Sequence, residues 1–171
     1  EKELMRKPLT TVEFANKLGQ VPLEFQPGEK WAYGFSADIL GAVIEVISGK
    51  EYREFLKEEF FIPLEMIDTD FYVPEEKWER FAKVYEYFEE EPKLRPYQGY
   101  NLAIMRQNRL PGFQSGGAGL VSTLDDYLHF DTMILNNGVY KGNRILSKES
   151  IDFMRTNHLN EEQLKSYDWE D

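Results

Sequence analysis

Cysteine is absent from the 171 residues, and only two histidines are present. The first absence excludes disulfides, thiolate catalysis and cysteine-based zinc sites. His129 and His158 stand in neither an H-x-x-x-H nor an H-E-x-x-H pattern, so no histidine metal site is expected. Positive charge is scarce as well. Twenty Lys and Arg against 31 Asp and Glu give a net charge of −11, and no basic stripe is available to neutralise phosphates. A nucleic-acid partner is therefore not expected. No long apolar run occurs either, since residues 39–47 are interrupted by Gly41 and Glu45, so nothing here is expected to span a bilayer. No positively charged segment followed by an apolar one opens the chain, and a secretory signal is not visible. The location of the protein is left open by these residues.

What is present describes one folded unit. Hydrophobic residues make up 42% and charged residues 30%, an ordinary balance for a folded domain. The length supports one core and is short for two. Acidic runs such as Glu89-Glu90-Glu91 read as solvated surface. Because the sequence opens in mid-pattern at Glu1 and closes on Trp169-Glu170-Asp171, residues 1–171 are expected to be a single partial domain. Residues 160–171 are polar and are expected to form a flexible tail.

Thr10 followed by Glu13 reads as a capping box opening a helix to Leu18, which Gly19 stops. Pro27-Gly28 marks a turn ahead of Trp31 and Tyr33. Ser36 is the expected cap of a helix carrying Ile39, Leu40, Val43, Ile44 and Ile47 at helical spacing, ended by Ser48-Gly49. A third helix shows Tyr52, Phe55, Leu56 and Phe60 on one face and stops at Pro63. Residues 64–73 are expected to be irregular, residues 74–87 mix helix and strand signals, and residues 89–114 read as a long loop. Thr123 with Asp126 caps a helix to Leu135, and Asp125 and Asp126 suit its first turn. A small hairpin is expected around Lys141-Gly142-Asn143, joining Val139-Tyr140 to Ile145-Leu146, before Ser147 caps a last helix.

Taken as residues, the chemistry stays open. No G-x-S-x-G elbow is present, and Ser115-Gly116-Gly117-Ala118-Gly119 lacks the Lys-Ser/Thr of a phosphate loop. That glycine run reads as a tight turn with close backbone approach, or as the lining of a ligand site. Tyr33, held between a Pro-Gly turn and an apolar helix, reads as a core tyrosine with its hydroxyl bonded, or as a proton-transfer group whose pKa nearby cations would have to lower.

Read as longer strings, four blocks resemble one family. Gln26-Pro-Gly-Glu-Lys-Trp-Ala-Tyr-Gly-Phe-Ser-Ala-Asp-Ile-Leu-Gly, continuing to Ser48-Gly49-Lys50, resembles the second active-site segment of serine hydrolases of the class C β-lactamase and penicillin-binding-protein type. Phe60-Phe61-Ile62-Pro63-Leu64-Glu65-Met66-Ile67-Asp68-Thr69 resembles that family's Pro-Leu-Gly-Met-x-Asp-Thr connection. Ser115 to Thr123 with Asp126 and Tyr127 resembles its Gly-Gly-x-Gly-Leu-x-Ser-Thr-x-x-Asp-Tyr segment. Asn136-Asn137-Gly138 with Arg144-Ile145-Leu146-Ser147 resembles the family's next stretch of chain.

The resemblance implies a mainly α chain with a few short strands: the helical subdomain of the α/β β-lactamase/transpeptidase-like fold, with most of the main sheet missing. It implies acyl transfer through a serine acyl-enzyme on a small ester, amide or lactam, with no metal or organic cofactor. Tyr33 takes the place of the motif tyrosine, which helps activate the serine and passes a proton to the leaving group. Phe35, Ser115, Gly116 and Gly117 are the implied substrate-binding positions, while the hydroxyls of Ser36, Ser115 and Ser122 are structural. Phe35 departs from the Tyr-x-Asn of penicillin-recognising members, which favours an esterase-like branch, and Glu65 stands where glycine is usual. No serine is followed three residues later by lysine, and no Lys-Thr-Gly or His-x-Gly motif occurs. The chain alone is therefore expected to be inactive, with self-association through a truncated face as a further expectation. The alternative is a catalytically silent module of penicillin-binding type that recognises peptide or peptidoglycan.

Overall fold

Thr10 and Glu13 close the capping box that their spacing predicts. In this computed structural model, which describes residues 9–89, 92–97 and 110–167, the Thr10 hydroxyl accepts from the Glu13 N–H at 3.2 Å. The Glu13 carboxylate accepts from the Thr10 N–H at 2.9 Å. Helix α1 (Thr11–Leu18) starts there and buries Thr11 and Phe14. Helix α2 (Ser36–Ser48) comes next, ended by Gly49 at φ 69°. Ser36, the expected cap, is instead the first helical residue, and Phe35 precedes it without a side-chain cap. The chain direction is set there by packing: the Phe35 ring meets Phe14 of α1 edge-on, centroids 5.5 Å apart.

Helix α3 (Tyr52–Leu56) continues into a π-helical turn, Lys57–Phe61, closed by the Ile62 N–H on the Lys57 carbonyl at 2.9 Å. Phe61, at the end of that turn, is buried with Leu64, Met66, Met133, Tyr140 and Ile151 in the main core. Glu65 has φ 58°, a left-handed backbone that glycine adopts without a Cβ penalty. This explains why glycine is usual at the matching position.

The stretch with mixed signals holds one element of each kind. A 3-10 helix spans Glu75–Arg80, and strand β1 (Tyr85–Phe88) pairs antiparallel with β2 (Lys93–Pro96), Tyr85 opposite Pro96. Strand β2 thus falls inside the expected loop, most of whose remainder lies outside the described residues. Helix α4 (Leu124–Leu135) is capped by Thr123, whose hydroxyl accepts from the Asp126 N–H at 3.2 Å.

The small hairpin is tighter than expected. Strand β3 (Val139–Tyr140) pairs with β4 (Asn143–Arg144), because Lys141 at φ 46° and Gly142 at φ 84° make a complete two-residue turn. Ile145 and Leu146 are released to pack on the core. Ser147 caps α5 (Lys148–Met154) by accepting from the Ser150 N–H at 3.0 Å. Within the expected tail, Asn160 and Gln163 form a second capping box that opens α6 (Glu161–Lys165). Among the described residues, strands amount to these two hairpins and one bridge between Asp70 and Val121. The chain is mainly α with a few short strands.

Candidate functional site

The turn before Tyr33 has a type II pattern. The Gln26 carbonyl accepts from the Glu29 N–H at 3.1 Å, Pro27 comes first, and Gly28 supplies φ 89°. Tyr33 lies beyond it with 80% of its surface exposed. The reading of Tyr33 as a core residue therefore fails, and a surface position open to another molecule remains. Phe35 is 44% exposed while contacting Phe14, which in turn lies 4.3 Å from Phe113, centroid to centroid. Phe35 thus anchors the far side of the Tyr33 segment and still shows an apolar surface.

The glycine run docks directly behind this segment. Ser115 is 4% exposed, its hydroxyl donates to the Asp38 carboxylate at 2.5 Å, and it accepts from the Ala118 N–H at 3.1 Å. Asp38, buried in the first turn of α2, also accepts from the Gly117 N–H at 3.4 Å. A Cβ on Gly116 would come within 2.2 Å of the Ala37 carbonyl oxygen, so the loop backbone lies against the start of α2. Gln114 completes the attachment: its N–H donates to the Thr11 hydroxyl at 3.1 Å, and its side-chain oxygen accepts from the Arg53 N–H at 2.6 Å. The loop is fastened to α1, α2 and α3 at once.

The Ser115 side chain is buried and doubly hydrogen-bonded, so it fixes the loop and presents no hydroxyl to a substrate. Gly116 serves close backbone approach, whereas Gly117 is exposed. Tyr33, Phe35 and Ser115–Gly117 do share one region, the start of α2. Sequence reasoning missed Asp38, since an acidic residue in a first helical turn already has a local explanation in the helix dipole. Its partner lies 77 positions away. Burial chiefly, and then the Asp38 charge, raise the pKa of the neighbouring Tyr52 phenol.

A second polar cluster stabilises the opposite end of the glycine-rich segment. Asp126 is buried and accepts from the Asp68 N–H at 2.8 Å and the Thr69 hydroxyl at 2.7 Å, besides standing in the first turn of α4. Arg80 and Lys77 hold the Asp68 carboxyl down to about 2. Arg53 grips Asp70 with two nitrogens at 2.6 Å each. A groove of about 440 Å³ runs along this cluster from Ile67 to Val84 and past Ser122, and Tyr33 is not in its lining. Among the described residues no group of three or more His, Asp or Glu could hold a metal ion. No described helix is long and apolar enough to cross a membrane.

Tyr33 is thus exposed just before a helix start against which a glycine-rich loop packs, within a mainly helical chain. The chain belongs to the Beta-lactamase family, whose pattern matches residues 2–166. Protein Rv1367c of Mycobacterium tuberculosis is 36% identical over 146 residues, covering 85% of this chain and 35% of its own length. Esterase EstB of Burkholderia gladioli is 34% identical over 127 residues, 68% of this chain and 32% of its own. The solved structure of EstCE1, a hydrolase with promiscuous acyltransferase activity, superposes with a TM-score of 0.71 at 26% identity, over 87% of this chain and 40% of its own. The chain thus spans about a third of the length of the curated relatives it matches.

Proposed function

We propose that this chain forms one wall of an acyl-transfer site in a serine hydrolase of esterase-like preference. In the whole protein, a serine nucleophile outside these residues would attack an ester or related acyl compound and form an acyl-enzyme that water then hydrolyses. Tyr33 serves there as the proton-transfer group, and Phe35 and Gly117 face the substrate. The observation that carries the reading is the placement of Tyr33: it is 80% exposed, yet the residues after it are pinned by Phe14 and by the Asp38–Ser115 contact. The esterase and acyltransferase relatives support the acyl chemistry.

The chain is read as the helical part of a larger fold whose main sheet lies elsewhere. An aliphatic stripe on α2 supports this, since Leu40, Val43, Val46 and Ile47 are exposed together. On this account the chain by itself turns over neither nitrocefin nor p-nitrophenyl butyrate. In a polypeptide of the relatives' length containing it, Tyr33→Phe lowers kcat for the ester at least 100-fold, within the usual range for losing a proton-transfer group (~10²–10⁴). An unchanged kcat, or turnover by the chain alone that Tyr33→Phe abolishes, refutes the proposal. A silent binding module is the second reading, favoured by the Phe35 ring being engaged with Phe14 where an amide would contact substrate. It requires that the longer polypeptide also lack Ser-x-x-Lys.

A further inference from the structure

The segment 160–167 makes contacts that a solvated tail does not need. The Trp31 N–H donates to the Ser166 hydroxyl oxygen at 2.8 Å, across 135 positions of sequence. The same hydroxyl donates its own hydrogen to the Gln163 carbonyl at 2.9 Å. Its hydrogen is therefore directed into α6, leaving a lone pair for Trp31. Beside this bond the Tyr167 and Trp31 rings meet with centroids 4.7 Å apart. At the other end of α6, the Asn160 side-chain amide donates to the Gly28 carbonyl at 3.3 Å while its oxygen caps the helix. Three contacts thus grip the turn from Gly28 to Trp31, and Tyr33 comes two residues later.

From these contacts we infer that Ser166 and Tyr167 are positioning residues for Tyr33, with α6 acting as a strap that fixes the near side of its loop. The far side is fixed by Phe35 on Phe14 and by Asp38 on Ser115. A two-residue interval keeps the Tyr33 backbone within about 7 Å of the held Trp31 backbone, so the base of its side chain moves little once Trp31 is fixed. A group kept in one place by its scaffold loses less orientational entropy when it reacts. Its value to catalysis rests on the role proposed for Tyr33, but the mechanical coupling does not.

The test separates these two. With tyrosine rings labelled by ¹³C in the full 171-residue chain, the Tyr33 signal is assigned by its loss in Tyr33→Phe. Ser166→Ala should shift or broaden that signal and speed amide exchange at Trp31 about fivefold, the equivalent of one net hydrogen bond of ~1 kcal/mol. Ser166→Thr retains the hydroxyl and should restore both readouts. Tyr167→Leu removes the ring from Trp31, keeps the hydrogen bonds of α6, and should move the Tyr33 signal by a second route. Lys165→Ala, exposed on the same helix, should move neither. Coupling is refuted if the Tyr33 signal and Trp31 exchange stay put in Ser166→Ala and Tyr167→Leu, or if Ser166→Thr behaves as Ser166→Ala. In the longer polypeptide, an undiminished kcat in Tyr33→Phe would sink the catalytic role of Tyr33 and leave the strap intact. A kcat that falls in Ser166→Ala with KM unchanged, and recovers in Ser166→Thr, supports both.

Discussion

Gly116→Ala is the most direct probe of how the loop holds the start of α2. The added Cβ would sit 2.2 Å from the Ala37 oxygen and 2.9 Å from its carbonyl carbon. Ordinary contact begins near 3.4 Å, so the overlap exceeds 1 Å, and both sides are backbone. Two routes relieve it. Either the helix start and loop stay together under strain, at about 1–3 kcal/mol for overpacking, or the loop lifts and the Ser115–Asp38 bond breaks. A hydrogen bond to a charged group contributes about 1.5–3 kcal/mol. The cheaper route governs, so the cost is about 1–3 kcal/mol. At ~2–4 °C per kcal/mol for a chain of this size, the melting midpoint should fall by roughly 2–12 °C. Two glycines serve as references, both with no atom within 4 Å of an added Cβ. Gly34→Ala should leave the midpoint within ~1 °C, since neither space nor φ is at stake. Gly28→Ala meets only its φ of +89° and should cost about 1 kcal/mol. Circular dichroism melts of the four proteins decide the matter. A Gly116→Ala protein that melts with Gly34→Ala would show that the loop is not packed on Ala37.

Ser115→Ala leaves the buried Asp38 carboxylate with Gly117 alone and should cost about 1.5–3 kcal/mol in urea unfolding. A loss below ~0.5 kcal/mol would show that water replaces the hydroxyl. Asp68 gives a pH signature: its folded pKa is depressed from 3.8 to about 2, so its stabilising effect is present above pH ~4 and disappears as pH falls through 2. Asp68→Asn should therefore be less stable than the unchanged protein at pH ~6, with the gap closing between about pH 4 and 2 in urea melts. Met133→Ala, at a fully buried core position beside Tyr140 and Ile151, should cost about 2–5 kcal/mol by the same measurement.

The parts legible in the sequence are those with local causes. Thr10, Thr123 and Ser147 each bond a backbone N–H three residues on, and that relation is visible as spacing. Gly49 stops α2 through its own φ. The hairpin at Lys141-Gly142 is legible but shifted, because Ile145 and Leu146 look like strand residues while the core takes them from the turn side. What escapes is non-local. Nothing near Asp38 announces Ser115, and nothing near Ser166 announces Trp31, since each pairing depends on the finished packing of helices far apart in sequence. The polar composition of residues 160–167 suggests a loose tail, though Asn160 and Gln163 carry a readable capping box.

In the proposed site, Phe35 would set the preference between ester and amide. Asparagine at this point could accept from a substrate amide N–H, while phenylalanine offers no acceptor. An ester has no N–H and leaves nothing unsatisfied against the exposed part of the ring; an amide would bury a donor without a partner, at about 1–3 kcal/mol. That corresponds to roughly 5- to 150-fold preference for ester over the matching amide, beyond their intrinsic difference in reactivity. Phe35→Asn, in a polypeptide of the relatives' length, should therefore raise amide turnover relative to ester by about tenfold in kcat/KM. The ring also packs on Phe14, so the substitution removes an aromatic contact worth ~0.5–1.5 kcal/mol and the midpoint should drop a few degrees. Phe35→Leu separates the two effects: it loses the aromatic contact without gaining an acceptor, and its amide-to-ester ratio should stay where it was. Equal ratios in Phe35→Asn and Phe35→Leu would show that the third residue of the motif does not face the scissile bond.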